Sequence, residues 1–194
     1  MKALPRRFYT RNTLTVAEEL LGKHLVRYTL GAEIVGRIVE VEAYGGSDDP
    51  GSHAYCGRTP RNQLMFRKGG FAYVYFVYGK HYCFNVVTEK HDVPGAVLIR
   101  ALEPVKGIET MKKNRRTHNV LNLTNGPGKL TEAMNITGKQ NGLDLTKSKE
   151  LFICKLEEKE RFEVVSTKRI GIKVGVDKPW RLYIKNNKYV SNYL

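Results

Sequence analysis

Glu40 and Glu42 stand two residues apart in Arg37-Ile-Val-Glu-Val-Glu-Ala-Tyr44. The segment alternates, which predicts a β-strand with Ile38, Glu40, Glu42 and Tyr44 on one face and Arg37, Val39, Val41 and Ala43 on the other. Acids disfavour strand interiors, so the pair reads either as a solvated edge or as a seat for chemistry. The polar, Gly-rich stretch 45–53 that follows weighs towards chemistry, because a strand end holds a carboxylate rigid while a loop admits substrate. One carboxylate there could activate water for attack at a glycosidic carbon, assisted by aromatic stacking. With Asp48 and Asp49, the same acids could instead hold Mg²⁺ in a nuclease. His53-x-x-Cys56 and His81-x-Cys83 offer four zinc-type ligands, but at a spacing that matches no common zinc module. A non-catalytic nucleic-acid-binding domain is the fourth reading.

Charge narrows the substrate. The 194 residues carry 33 Lys and Arg against 19 Asp and Glu, a formal net charge of +14. Such an excess points to a polyanion, nucleic acid before an acidic membrane surface. The 11 Tyr supply the aromatic faces on which bases stack. Three scattered cysteines, at 56, 83 and 154, argue against a disulfide framework and for a reducing compartment. No apolar run follows Met1-Lys-Ala-Leu-Pro-Arg-Arg, so no signal peptide and no membrane span are expected. The expected location is cytoplasmic, associated with the nucleoid if the source is bacterial.

The elements that must position these residues can be placed coarsely. Thr15-Val-Ala-Glu18 has the form of a capping box, and Gly22 can close the helix in the left-handed conformation. A strand over 24–30 and the strand over 33–44 should pair as a hairpin across Gly31-Ala32. Thr59-Pro60 suggests an N-cap and first helical position for a short helix carrying Leu64, Met65 and Phe66. Runs 71–78 and 81–88, separated by Gly79-Lys80, predict a second hairpin with a type II′ turn and with Tyr78 at its tip. A strand over 95–102 contains Arg100, which needs an anionic partner if buried, the strand glutamates being candidates. Pro104 is expected to open a helix ending near 113, and Gly126-Pro-Gly-Lys129 to precede a helix over 130–135. Free N–H groups at that second start could meet a phosphate, although the Walker spacing is absent. Further strands are expected near 151–156, 161–166, 169–174 and 181–184. The fold class is therefore α+β: a single domain over 1–194, with a curved, mainly antiparallel sheet and peripheral helices.

Several motifs in sequence add a resemblance. They are Arg37-Ile-Val-Glu-Val-Glu-Ala-Tyr44, His53, Arg58-Thr-Pro-Arg-Asn62, Tyr73-Val-Tyr-Phe-Val-Tyr-Gly79, Asn85, Arg100-Ala-Leu-Glu-Pro104, Gly126-Pro-Gly-Lys-Leu130 and Lys178-Pro-Trp-Arg-Leu-Tyr183. In that order the chain resembles the alkyladenine (3-methyladenine) DNA glycosylase family over nearly its whole length, without the N-terminal extension of larger members. The resemblance implies excision of 3-methyladenine, 7-methylguanine, ethenoadenine or hypoxanthine from double-stranded DNA, after the damaged nucleotide is flipped out of the stack. It implies Glu42 as the general base, Arg100 as a residue that positions the water, and a backbone carbonyl of Ile170 on the same water. It also implies Tyr44, His53 and Tyr75 around the flipped base, Asn85 as a wall against normal guanine, and Tyr78 as the wedge left in the duplex. Arg58, Arg61, Lys80, Gly126, Gly128 and Lys129 are the expected DNA contacts. The implied mechanism is monofunctional and uses no metal or cofactor, and a monomer is expected.

Overall fold

A computed structural model describes residues 1–29, 31–77, 79–156 and 161–191. The sheet is antiparallel and eight-stranded. Its strands are β1 (His24–Thr29), β2 (Ala32–Tyr44), β3 (Ala72–Val77), β4 (His81–Val87), β5 (Ala96–Lys106), β6 (Leu151–Cys154), β7 (Val164–Thr167) and β8 (Arg181–Ile184). They run in the order β3-β4-β5-β2-β1-β6, with β8 bridging β2 and β7. Helices α1 (Arg6–Tyr9), α2 (Thr13–Leu20), α3 (Ile108–Arg115) and α4 (Pro127–Ala133) complete the α+β architecture.

β2 organises the rest. Its first half pairs with β1, from Ala32 to Arg37. At Glu40–Glu42 it takes β8 on that side instead, while β5 follows its other edge. The register against β5 shifts between Ile38 and Glu40 and again between Glu40 and Val41. Such bulges bend a strand and re-aim its side chains. Strict alternation therefore fails: Ile38 joins Val39, Val41 and Ala43 in the main core. Glu40 and Glu42 are fully buried between two neighbouring strands, so the solvated-edge reading does not hold.

α2 closes that core with Val16, Ala17 and Leu20 on one face, the spacing of an amphipathic helix. Its N-cap is Asn12, whose side chain accepts from the N–H groups of Leu14 and Thr15, so the capping box expected at Thr15 is not formed. Asn at that place satisfies the free N–H groups as well as Thr would. Gly22 is left-handed at φ 76°, as expected.

Other expectations are corrected by local chemistry. Pro104 lies inside β5 opposite Gly36, next to a register shift where its missing N–H breaks no ladder. The following helix waits for Gly107, left-handed at φ 76°. Thr59-Pro60 starts no α-helix. Asn62 accepts from the Thr59 N–H and donates to the carbonyls of His53 and Gly57. This pins the loop before a single 3₁₀ turn, Gln63–Phe66. Val77 pairs with His81, so the second hairpin link spans 78–80, with Gly79 at φ 64°, and is not the two-residue turn expected. Tyr78 lies outside the described residues. Residues 169–174 form no strand; α4 begins at Pro127, three residues earlier than expected.

Candidate active site

Glu42 is near the end of β2 with both carboxylate oxygens engaged. The Tyr44 hydroxyl donates to Oε2 at 2.8 Å, and Arg100 Nη1 lies 3.2 Å from the same oxygen. On Oε1 the donor is the backbone N–H of Ile170, at 2.7 Å. Ile170 thus meets Glu42 through its N–H. Burial and the neighbouring Glu42 charge push the Tyr44 phenol far upwards, so it stays a neutral donor. Burial works against the charge on Arg100, but the carboxylates of Glu42 and Glu40 outweigh it and keep the guanidinium charged.

Glu40 has different surroundings. Arg100 Nε at 2.9 Å, Arg181 Nε at 2.7 Å and the Ser191 hydroxyl at 2.7 Å all donate to its Oε1, and the Ser191 N–H to Oε2 at 2.6 Å. Asp49 is likewise consumed, by Arg169 at 2.6 and 2.7 Å. Burial alone would raise its carboxyl, but Arg169 and the Gly45 N–H hold it below the ordinary aspartate range. Asp48 is exposed and 4.0 Å from Lys178. Of the four acids considered as a metal cradle, Glu40 and Glu42 share Arg100, while Asp49 pairs with Arg169 and Asp48 lies by Lys178, and no group of three or more potential metal ligands converges among the described residues.

The three residues that hold Glu42, namely Tyr44, Arg100 and Ile170, line a cavity of about 540 Å³, while Glu42 itself is fully buried. His53, Tyr75 and Asn85 line the same space. His53 shares a hydrogen bond from Nδ1 with the Tyr73 hydroxyl at 2.9 Å, and its ring stands 4.7 Å from that of Tyr75. Burial, then the Arg61 charge, lower the His53 imidazole, favouring its neutral form. Burial pushes Tyr73 up to about 12. Asn85 donates to the Tyr73 carbonyl at 3.0 Å, which fixes its amide against β3. Cys83 also faces the cavity, its thiol pushed up to about 11 by burial.

The family model described as methylpurine-DNA glycosylase matches residues 7–188. The chain belongs to the methylpurine-DNA glycosylase family. A relative from Carboxydothermus hydrogenoformans is 53% identical over 188 residues, covering 97% of this chain and 98% of its own. One from Clostridium novyi is 50% identical over 203 residues, covering 98% and 99%. A third, from Natranaerobius thermophilus, is 46% identical over 190 residues, covering 95% and 96%. All three are named, provisionally, as 3-methyladenine DNA glycosylases. The chain is thus a DNA-repair hydrolase acting on N-glycosyl bonds. No helix among the described residues is long and apolar enough to cross a membrane.

The glycosylase arranges its expected DNA contacts unevenly around the cavity. Gly126, Gly128 and Lys129 line it, at the start of α4. Gly128 has a packing reason: a Cβ there would stand 2.8 Å from the His81 ring. Lys129 donates to Asn125 at 3.0 Å and Asn122 at 2.5 Å, side chains that leave its charge uncompensated. Arg61 reaches over the Tyr75 ring, 5.8 Å from its centre. Arg58 instead pairs with Asp92 and stacks on Phe66 at 4.7 Å. Lys80 is exposed in the hairpin link.

Sequence reasoning passed over two groups. Ser191 and Arg181 complete the Glu40 cluster, which a strand pattern cannot reveal because they arrive from more than 140 residues away. Arg169 falls in a stretch expected to form a strand, and Asp49 among the candidate metal ligands. A charge directly preceding Ile170 was the available signal.

Proposed function

We propose that this glycosylase excises alkylated and deaminated purines from duplex DNA: 3-methyladenine, 7-methylguanine, hypoxanthine and ethenoadenine. The observation that carries the reading is the buried Glu42 carboxylate, held by Tyr44, Arg100 and Ile170, three residues that line a cavity with aromatic walls large enough to admit a purine base. A carboxylate has about four acceptor positions. Three are taken by Tyr44, Arg100 and Ile170, which leaves one on Oε1 among the described residues. The attacking water takes that position. Glu42 accepts its proton as the water oxygen bonds to the sugar C1′ and the base departs with the electron pair of the N-glycosidic bond. The carboxylate also stabilises the positive charge that develops on the sugar ring, as in other glycoside hydrolyses.

Tyr44, His53 and Tyr75 hold the flipped base, with an alkylated cationic ring gaining most from the aromatic faces. Asn85, tied to β3, is a rigid wall that crowds the C2 amino group of normal guanine, a group that hypoxanthine and adenine derivatives lack at C2; 7-methylguanine gains against it from its cationic ring. Tyr78 fills the vacated stack; Val77 and His81, which flank its link, both line the cavity. Arg61, Lys80, Gly126, Gly128, Lys129 and, more weakly since Asp92 takes its charge, Arg58 hold the DNA backbone.

The test is incubation with duplexes that each hold one lesion, in EDTA. Base release without strand scission is the expected result. Activity abolished by EDTA would favour a nuclease, and binding with no release a passive module. Binding should also weaken steeply with salt, because the +14 charge acts through phosphates. Lys129→Ala should lower the log–log salt slope by about 1 and weaken damaged and undamaged duplexes alike. A salt-independent affinity would assign the basic surface to something other than DNA.

A further inference from the structure

Asp49 and Arg169 form a buried clamp beside two of the three residues that donate to Glu42, Ile170 and Tyr44. Neither side chain is exposed. The guanidinium meets both Asp49 oxygens, at 2.6 and 2.7 Å, and also donates to the carbonyls of Ala43 and Gly175, each at 3.0 Å. Asp49 in turn accepts from the N–H groups of Gly45 at 2.9 Å and Gly51 at 3.2 Å. One ion pair therefore binds the end of β2, the Gly-rich loop after it and the irregular segment 169–175.

The space for the clamp is made by glycines. A Cβ on Gly51 would stand 2.8 Å from Arg169 Nη2, and one on Gly175 3.0 Å from it. Gly175 is also left-handed, at φ 64°, where a side chain is strained.

We propose that Asp49 and Arg169 are positioning residues for the hydrolytic step, holding the Ile170 N–H and the Tyr44 hydroxyl on Glu42. Ile170 follows Arg169 directly, in a segment without regular structure, so its N–H is placed by where Arg169 is anchored. The Tyr44 ring lies 4.8 Å from the same guanidinium, and Trp180 lies 5.3 Å from it. Arg100, the third donor, is held independently by Glu40. An ion pair buried at this depth gives geometry more than stability, since desolvation cancels much of its attraction. A displacement of about 1 Å at a reacting group can cost on the order of 100-fold in rate.

The inference rests on Glu42 being the base, and the experiment separates the two. Single-turnover release of methylated purines from methylated duplex DNA is measured for Asp49→Asn, Arg169→Lys and Glu42→Gln, with affinity for the same duplex. Asp49→Asn should release base roughly 10–100-fold more slowly than wild type. Its end-point should be full and its duplex affinity near wild type, a split that simple loss of folded protein would not produce. Arg169→Lys, which keeps the charge but not the two-pronged contact, should fall between. A wild-type rate in folded Asp49→Asn, or a slowed rate matched by weakened binding, overturns the clamp while a slow Glu42→Gln leaves the base in place. A fast Glu42→Gln overturns the base assignment itself. Should Asp49→Asn not fold, Arg169→Lys is judged by the same two criteria.

Discussion

Glu42→Gln is expected to bind lesion DNA and to excise the base at least ~10²–10⁴-fold more slowly in single turnover, the usual loss for a general base. The amide keeps the shape of the side chain but cannot take a proton. Its oxygen can still accept from the Ile170 N–H, and the Tyr44 hydroxyl can reverse and accept from the new NH₂ group. Only the Arg100 contact on Oε2 turns unfavourable. The fold should therefore survive, and the loss should lie in chemistry. Rates under enzyme excess, with binding measured on the same duplex, make the comparison. Near-wild-type excision by the folded variant would end the assignment.

The opposite phenotype is expected two residues earlier. Four donors converge on Glu40: Arg100, Arg181, and the hydroxyl and N–H of Ser191. An amide oxygen accepts about two hydrogen bonds, and its NH₂ would face further donors. Arg100 would keep its charge with one of its two carboxylate partners removed, and Arg181 with the carboxylate it pairs with removed. Breaking a buried pair in this way costs about 3–5 kcal/mol. For a chain of this size that lowers Tm by roughly 6–20 °C. Glu40→Gln should thus melt early, yet at temperatures well below its Tm lose far less excision than Glu42→Gln. Calorimetry and single-turnover rates on both variants test the crossing. A Glu40→Gln protein with wild-type Tm would show that the cluster is not structural. Equal excision losses in the two variants would leave the base unassigned.

The division of labour between these carboxylates shows where sequence reading reached its limit. Alternation placed both on one strand face, and the motif order selected Glu42. Nothing in the spacing said that β2 changes partner from β1 to β8 at Glu40, which is what buries both acids. A strand pattern records which side chains share a face, not how many neighbours flank it. Arg100 was legible for a simple reason: a cation inside an apolar run demands an anion, and the strand glutamates were candidates. That it bridges both of them could be seen only in three dimensions.

Hairpins and the α+β class followed from local rules, because alternation, glycine turns and apolar runs act over a few residues, whereas the aromatic residues around the cavity came from the motif resemblance. Residues 45–51 and 169–175 did not, and the physical reason is common to both. Each is irregular and has no period to read; its conformation is set by the Asp49–Arg169 pair, whose members are 120 residues apart. From sequence, Asp49 looked like a metal ligand and Arg169 like the start of a strand. Amino-acid types alone determined that this chain has a strand-borne acid, stacking aromatics and a strongly basic surface. The tertiary structure decided which partners each acid has, Tyr44 and the Ile170 N–H for Glu42 against Arg181 and Ser191 for Glu40, because burial and pairing depend on neighbours that the chain supplies from its far end.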